Sequence, residues 1–96
     1  MQNTIGFGDF LHDLRTEKKL SQRIVANKLG IDISLLSKIE HGERQLQGRM
    51  LFGIAELFNI DYKTLQIKYL NQRMENEFGS EPFFIESLKK YLEERI

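Results

Sequence analysis

The stretch from Leu20 to Gly42 constrains the fold more than any other part of the chain, because it contains two short helical patterns separated by Gly30. Ser21 precedes the first pattern and Asp32 precedes the second. Both residue types cap helices by accepting a hydrogen bond from a backbone N–H of the first turn. Gly30 can adopt the left-handed conformation that often ends a helix. We therefore predict two short helices joined by a tight turn.

Apolar residues recur at helical spacing in both patterns and define one buried side. They are Val25, Ala26 and Leu29 in the first pattern and Leu36 and Ile39 in the second. Because the side chain of Ala26 is small, the two helices can cross closely, which leaves the N-terminal half of the second helix pointing outward. This arrangement is a helix-turn-helix, whose second helix fits the major groove of DNA.

The same stretch resembles the Xre/Cro type of lambda repressor-like DNA-binding domains. The resemblance rests on Leu20-Ser21-Gln22, Val25-Ala26, Leu29-Gly30-Ile31, Leu36-Ser37, Ile39-Glu40 and Gly42. It covers roughly residues 6–66 and implies an all-α fold, a five-helix domain with the motif at residues 21–40. Family members typically bind double-stranded DNA as symmetric homodimers on pseudo-palindromic sites, and we expect the same of this chain.

Four residues match positions at which the family's recognition helix meets base edges: Ile33, Ser34, Ser37 and Lys38. Lys38 can donate to guanine O6 or N7, the serine hydroxyls can donate or accept, and Ile33 can contact a thymine methyl group. Ile33 and Leu35 are apolar where many relatives carry polar residues. An alternative is therefore that either side chain packs on a partner chain.

A second set of residues is predicted to contact DNA phosphates, either directly or through backbone N–H groups at a helix start. These residues are Ser21, Gln22, Arg23, His41, Arg44, Gln45 and Arg49. In the family, a glutamine at the position of Gln22 binds phosphate and braces the recognition helix. From Lys18 to Arg49 the sequence holds seven cations and three anions, whereas the whole chain has 14 of each. This asymmetry fits a DNA-facing surface, although a solvated surface is the alternative.

Arg15 and Glu40 match a family pair in which an arginine at the end of helix 1 contacts a glutamate at the end of the recognition helix. The resemblance implies a structural ion pair that holds helix 3 against helix 1. We expect its loss to impair folding and DNA binding together.

The other helices of the core follow from apolar periodicity and from helix breakers. Residues 1–5 show no periodicity, and helix 1 is predicted to end near Lys18 with the apolar stripe Phe7, Phe10, Leu11 and Leu14. Helix 4 is predicted from about Arg49 to Phe58. Asn59 is a plausible left-handed terminator, and Asp61 is the predicted cap of helix 5.

Helical periodicity continues beyond residue 66 to Phe78, so helix 5 is longer than the family core requires. Residues 79–82 break the pattern, with Ser80 or Glu81 as the predicted cap of helix 6 and Pro82 in its first turn. Helix 6 then runs to the end, with a predicted ion pair between Glu86 and Lys90. We divide the chain into a DNA-binding domain at residues 1–66 and a helical C-terminal extension at residues 67–96.

Exposed apolar residues for a dimer or partner contact are expected mainly in this extension. They are Leu57, Tyr69, Leu70, Phe78, Phe83, Phe84, Tyr91 and Leu92. Three alternatives remain open for helix 6: it pairs with a second copy, it folds back on helix 5, or it binds another protein. The third would suit an antitoxin-like or adaptor module, with the extension gripping the partner.

Composition excludes several other classes of protein. The 96 residues include no cysteine, so no disulfide or thiolate metal site is available, and no apolar run is long enough to cross a membrane. His12 and His41 lack metal-ligand spacing and catalytic context, and we read His12 as a solvated surface residue. We expect a cytoplasmic transcriptional regulator that is not an enzyme and uses no cofactor, metal or small-molecule ligand. Its type and length resemble autoregulated repressors and the controller proteins of restriction-modification systems.

Overall fold

A computed structural model of the protein describes residues 6–96 and confirms the all-α class. The described part contains six α-helices and no strand, and its helices are α1 Phe7–Glu17, α2 Gln22–Leu29, α3 Ile33–Glu40, α4 Leu51–Phe58, α5 Tyr62–Phe78 and α6 Phe84–Arg95. A single 3-10 turn, Gly48–Met50, leads into α4. The expectation for residues 1–5 lies outside the described residues.

The predicted caps of α2 and α3 and the predicted turn residue between them are confirmed. Ser21 Oγ accepts a hydrogen bond from Ile24 N at 3.2 Å, and Asp32 Oδ1 accepts one from Leu35 N at 2.7 Å. Gly30 ends α2 in the left-handed region at φ 71°, a conformation that strains residues with a Cβ. These local interactions set the tight turn between α2 and α3 that the sequence predicts.

The core forms where α1 to α5 meet. Helix α2 packs on α3 and α4, α1 packs on α3, and α5 packs on α4. The buried apolar side chains are Phe7, Leu11, Val25, Ala26, Leu29, Leu36, Ile39, Leu46, Met50, Leu51, Ile54, Ala55, Phe58, Leu65 and Tyr69. Fully burying a side chain of this size contributes about 1.5–3 kcal/mol. This core fixes the orientation of α3, whose other side is exposed.

Helices α1 and α3 approach closely at Gly8. A Cβ added at Gly8 would lie 2.0 Å from the carbonyl oxygen of Ile39 and 3.2 Å from that of Glu40. Both atoms are backbone, so neither can move aside without moving the end of α3. A glycine is required here to bring α1 against α3.

The C-terminal part of the chain differs from the prediction in detail. Helix α6 begins at Phe84, so Pro82 lies in the preceding turn and not in the helix. Neither Ser80 nor Glu81 occupies the N-cap position, which falls on Phe83. The predicted Glu86–Lys90 pair is also wrong, because Lys90 Nζ lies 3.4 Å from Glu94 Oε2 instead. Both members of that pair are exposed, so it adds little stability.

Helix α6 is weakly attached to the rest of the chain. None of its side chains is buried by any of residues 6–96, and its main contact with α5 is between the Phe78 and Phe84 rings, whose centroids are 6.1 Å apart. An open cleft of about 610 Å³ separates the two helices. The division after residue 66 stays a prediction, since α5 runs without interruption across it. Within the described range, no helix is long and apolar enough to span a membrane.

Candidate nucleic-acid interface

One face of α3 presents polar side chains to solvent. Ser34 and Lys38 are exposed, Ser37 is half-buried, and exposed His41 follows directly after the helix. These residues stand at i, i+3, i+4 and i+7 and therefore share a face. The face carries hydroxyl, ammonium and imidazole groups that can hydrogen-bond to base edges or phosphates.

Ile33 and Leu35 lie at the margins of this face. Both are half-buried and pack against the core of their own chain. Ile33 is therefore only partly exposed, because hydrophobic burial draws part of its side chain inward. The alternative was that Ile33 or Leu35 packs on a partner chain. Part of the apolar surface needed for that contact is already buried within their own chain.

Glu40, at the end of α3, is buried among hydrogen-bond donors. Arg15 Nε donates to Glu40 Oε2 at 2.7 Å, and Arg15 Nη2 donates to Glu40 Oε1 at 3.0 Å. The side chain of Glu40 is 2% exposed and that of Arg15 is 13% exposed. A third donation, from Arg15 Nη1 to the carbonyl oxygen of Leu20, extends this bidentate pair to the start of α2. The pair joins α1, α2 and α3.

Two further donors complete the surroundings of Glu40. His12 Nδ1 and Gln22 Nε2 each lie 3.2 Å from Glu40 Oε1 and donate to it. Burial alone raises the pKa of Glu40, but the hydrogen bonds from Arg15, His12 and Gln22 outweigh it and hold the pKa below its ordinary value. Glu40 thus remains a carboxylate that locks the C-terminal end of α3.

His12 is exposed, as predicted, but it is not only solvated. Its ring is half-exposed, but its Nδ1 contacts the buried carboxylate of Glu40. His12 and Arg15 are three residues apart in α1 and so point the same way, which is the signal that sequence alone offered. Gln22 donates to the same carboxylate. This contact with the end of α3 is consistent with the bracing role that the family resemblance implies for Gln22.

The remaining phosphate candidates all lie on the surface of the domain. Ser21, Arg23, Arg44, Gln45 and Arg49 are exposed, as is His41. The His41 Nδ1–H donates to the carbonyl oxygen of Ser37 at 2.7 Å, which satisfies an acceptor at the end of α3. Arg49 Nε donates to the side chain of Gln47 at 2.9 Å.

Residues 41–50, which follow α3, form an anchored segment. The backbone N–H groups of Glu43 and Arg44 both donate to the carbonyl oxygen of Lys38, at 2.8 and 3.3 Å. Leu46 is buried in the core, which sequence reasoning missed because the surrounding residues are polar. A single leucine within a polar run was the available signal. The segment is thus held at its start by α3 and at its middle by the core.

The proposed dimer or partner residues divide into two groups. Tyr69 is buried and donates from its hydroxyl to the carbonyl oxygen of Leu46, so its assignment to an exposed surface is wrong. Leu57 is half-buried against the core. The other residues are not buried by any of residues 6–96: Leu70, Phe78, Phe83, Phe84, Tyr91 and Leu92. Of these, Phe84 is half-buried.

Two clefts of the part of the chain that the structure describes border α5 and carry aromatic or charged side chains. The apolar one lies between α5 and α6, with Met74, Phe78 and Tyr91 among its lining residues. A polar cleft lies between the start of α1, the segment after α3 and α5, and includes Arg44 and Arg73 in its walls. Among residues 6–96, no cluster of histidine, aspartate or glutamate side chains could hold a metal ion.

Comparison with known proteins agrees with this geometry. A family profile described as a helix-turn-helix domain matches residues 8–72, from the close contact of α1 with α3 through most of α5. The chain belongs to this family of Xre-type helix-turn-helix domains, and the matched residues form a DNA-binding domain. No curated protein and no solved structure matches the chain.

Proposed function

We propose that this protein is a sequence-specific transcriptional regulator that binds a pseudo-palindromic operator as a homodimer. The observation that carries the proposal is the division of α3 into two sides. Leu36, Ile39 and Glu40 are buried on one side, whereas Ser34 and Lys38 are exposed on the other. A rigidly held helix with a polar outer face suits the major groove.

The exposed face of α3 supplies the groups that would read bases. Lys38 would donate to guanine O6 or N7, and Ser34 and Ser37 would donate to or accept from base edges. The exposed part of Ile33 would contact a thymine methyl group. Because α3 is braced through Glu40, the backbone that carries these groups needs little rearrangement on binding.

Phosphate contacts would surround this face and set its orientation on the duplex. The proposed residues are Ser21, Gln22, Arg23, His41, Arg44, Gln45 and Arg49. The excess of cations between Lys18 and Arg49, seven against three anions, supports an attraction between this side of the molecule and DNA.

A homodimer is proposed because one short recognition helix reads only a few base pairs. Each good contact discriminates by about 1–3 kcal/mol, so two copies reading half-sites about 34 Å apart improve selection of a genomic site. The unburied α6 and the apolar cleft beside it support pairing through the extension, because a helix of this length is marginal in water without a packed face.

In the cell, such a dimer would act as an autoregulated repressor or as a controller of linked restriction-modification genes. Regulation would follow protein concentration, since dimer formation and operator occupancy both rise with it. The resemblance to small regulators of this type supports the proposal.

Selection from a random duplex library with the purified full-length protein tests this proposal. We expect a recovered site with two related half-sites, and a log K that falls with log salt by about 0.9 for each phosphate neutralised. Recovery of no site above background from the purified protein would contradict it.

A second candidate is a partner-binding module of the antitoxin or adaptor type. It is favoured by the exposed aromatic side chains of Phe83 and Tyr91, which could anchor a protein partner. The two functions separate by experiment. A purified chain that binds no specific duplex but forms a stoichiometric complex with a co-purified protein would favour this candidate.

A further inference from the structure

Tyr69 connects α5 to the segment that follows the recognition helix. Its hydroxyl donates to the carbonyl oxygen of Leu46 at 2.8 Å, and its ring is buried with an edge contact to Phe7, at 5.5 Å between centroids. A Cβ at Gly48 would lie 3.7 Å from the ring, so the ring also lies directly beside the backbone there. Tyr69 therefore supports the middle of the segment at residues 41–50.

Arg73 supplies the second hydrogen bond of the Tyr69 hydroxyl and so fixes its orientation. Arg73 Nη1 donates to the Tyr69 hydroxyl oxygen at 2.8 Å, and a guanidinium has no acceptor. The single hydroxyl proton of Tyr69 is thus left for the carbonyl oxygen of Leu46. Arg73 is itself held by Glu77, whose Oε2 accepts from Arg73 Nη2 at 2.9 Å. The result is a chain of contacts from α5 to Leu46.

The supported segment carries several proposed phosphate contacts. Arg44 and Gln45 precede Leu46, and Arg49 follows it. The start of the segment is tied to Lys38 by backbone hydrogen bonds, but its middle depends on the buried Leu46 side chain and on Tyr69. The position of these cations relative to α3 therefore depends on a residue outside the helix-turn-helix motif.

We propose that Tyr69, oriented by Arg73, is a positioning residue for DNA binding. It holds the segment at residues 44–49 so that its side chains meet phosphates while α3 lies in the major groove. Tyr69 does not touch DNA itself, because it is buried. This inference rests on the proposed function.

Replacing Tyr69 by phenylalanine removes the hydroxyl and keeps the ring packing. We expect Tyr69→Phe to weaken binding to the selected duplex by about threefold to tenfold, the effect of one lost hydrogen bond. The slope of log K against log salt should also become shallower, since displaced cations neutralise fewer phosphates. Tyr62→Phe is the matched control, because the Tyr62 hydroxyl only accepts from exposed Gln66 and should leave affinity unchanged.

A double-mutant cycle distinguishes positioning from a general loss of stability. If Tyr69 acts through the segment, Tyr69→Phe should have little further effect once Arg44 and Arg49 are both replaced by alanine. Arg73→Leu provides a second variant if Tyr69→Phe does not fold, since the side chain of Arg73 is partly exposed. It should reduce affinity and salt slope in the same direction.

Wild-type affinity in Tyr69→Phe, or a full additive loss in the cycle, would overturn this role while leaving the proposed function intact. If Arg73→Leu is the variant measured, wild-type affinity and salt slope would overturn it equally. Absence of specific duplex binding by the wild-type chain would instead reject the proposed function, and this role with it.

Discussion

Glu40 is the residue whose environment most directly links stability to the orientation of α3. Glu40→Gln removes the charge that balances buried Arg15 and should lower the free energy of unfolding by about 3–5 kcal/mol. For a domain of this size, that corresponds to a fall in Tm of at least about 10 °C. Thermal unfolding followed by circular dichroism measures it.

The matched control is Glu56→Gln, which breaks the Lys28–Glu56 pair at 2.8 Å, whose members are both substantially exposed. This change should cost less than about 1 kcal/mol. Equal and small effects of the two substitutions would show that the contact between Arg15 and Glu40 does not hold the fold.

The lowered pKa of Glu40 also predicts how stability depends on pH. A carboxyl group whose pKa is lower in the folded state binds fewer protons there than in the unfolded state. Glu40 therefore contributes fully to the free energy of unfolding when the pH is above the ordinary pKa of 4.5. The contribution is lost as the pH falls through the folded pKa. We expect the stability difference between wild type and Glu40→Gln to shrink as the pH falls below about 4.5, in paired denaturant titrations. A difference that stays constant or grows on acidification would contradict this.

At the residue scale, sequence predicted interactions that are local or that follow a known family pair. Ser21 and Asp32 were predictable because a cap bonds within three residues of itself. The contact of His12 with Glu40 joins residues that are 28 positions apart, and its one local signal is that His12 and Arg15 share a face of α1. Tyr69 was misassigned for the same reason, since its acceptor on Leu46 is 23 positions away.

At the element scale, the close contact between α1 and α3 depends on Gly8. Gly8→Ala would place a Cβ against the backbone of Ile39 and Glu40, forcing the two helices apart. Overpacking of this kind costs about 1–3 kcal/mol, and the shift would also disturb the contacts of Glu40. We expect lower thermal stability together with weaker DNA binding.

Gly6→Ala is the control for this prediction, because a Cβ there would come no closer than 3.9 Å to a neighbouring atom. Both variants replace glycine by alanine near the start of α1. If Gly8→Ala is as stable as Gly6→Ala and binds duplex equally well, α1 does not constrain α3 in the way the structure indicates.

Helix boundaries illustrate where sequence is sufficient and where it is not. The starts of α2 and α3 carry side-chain caps and the ends of α2 and α4 carry left-handed residues, and these boundaries were predicted closely. The start of α4 was predicted near Arg49 but lies at Leu51, because a 3-10 turn without a side-chain cap precedes it. The start of α6 was placed too early because no described side chain caps it, and a proline preceded by polar residues resembles a helix start. Lys90 pairs with Glu94 and not with Glu86. Because exposed ion pairs differ little in free energy, the sequence could not distinguish these two partners.

At the scale of the whole molecule, the extension is expected to pair two copies. Phe83 is 70% exposed beside the open cleft between α5 and α6. Burial of such a side chain in a dimer contributes about 1.5–3 kcal/mol, so Phe83→Ser should weaken dimerisation by at least about tenfold. Sedimentation equilibrium over a range of protein concentrations measures the change.

Phe52→Ser serves as its control, because Phe52 is 60% exposed on α4 and its ring packs on Tyr62, which precedes the extension in the chain. It should leave the dimer unchanged. A wild-type chain that is monomeric at every concentration, or a Phe83→Ser variant with unchanged self-association, would count against pairing through this surface.

The whole-molecule arrangement was the least predictable level. Apolar periodicity predicted that α6 exists, because the pattern is strong and local. Periodicity could not determine whether the apolar stripe of α6 packs on α5, on a second copy or on another protein, because each of these arrangements buries the same residues. The fold of the DNA-binding domain was predictable because its apolar stripes, caps and turns agree with one arrangement.

The most direct test of the account compares Lys38→Ala with Arg44→Ala on the selected duplex and on variants with changed bases. Lys38→Ala should reduce discrimination between the selected and changed sites by roughly tenfold, because one base contact is lost. Arg44→Ala should weaken binding to all of these duplexes alike and lower the salt slope by about one. If Lys38→Ala retains full discrimination, the exposed face of α3 does not read the operator, and the central claim is wrong.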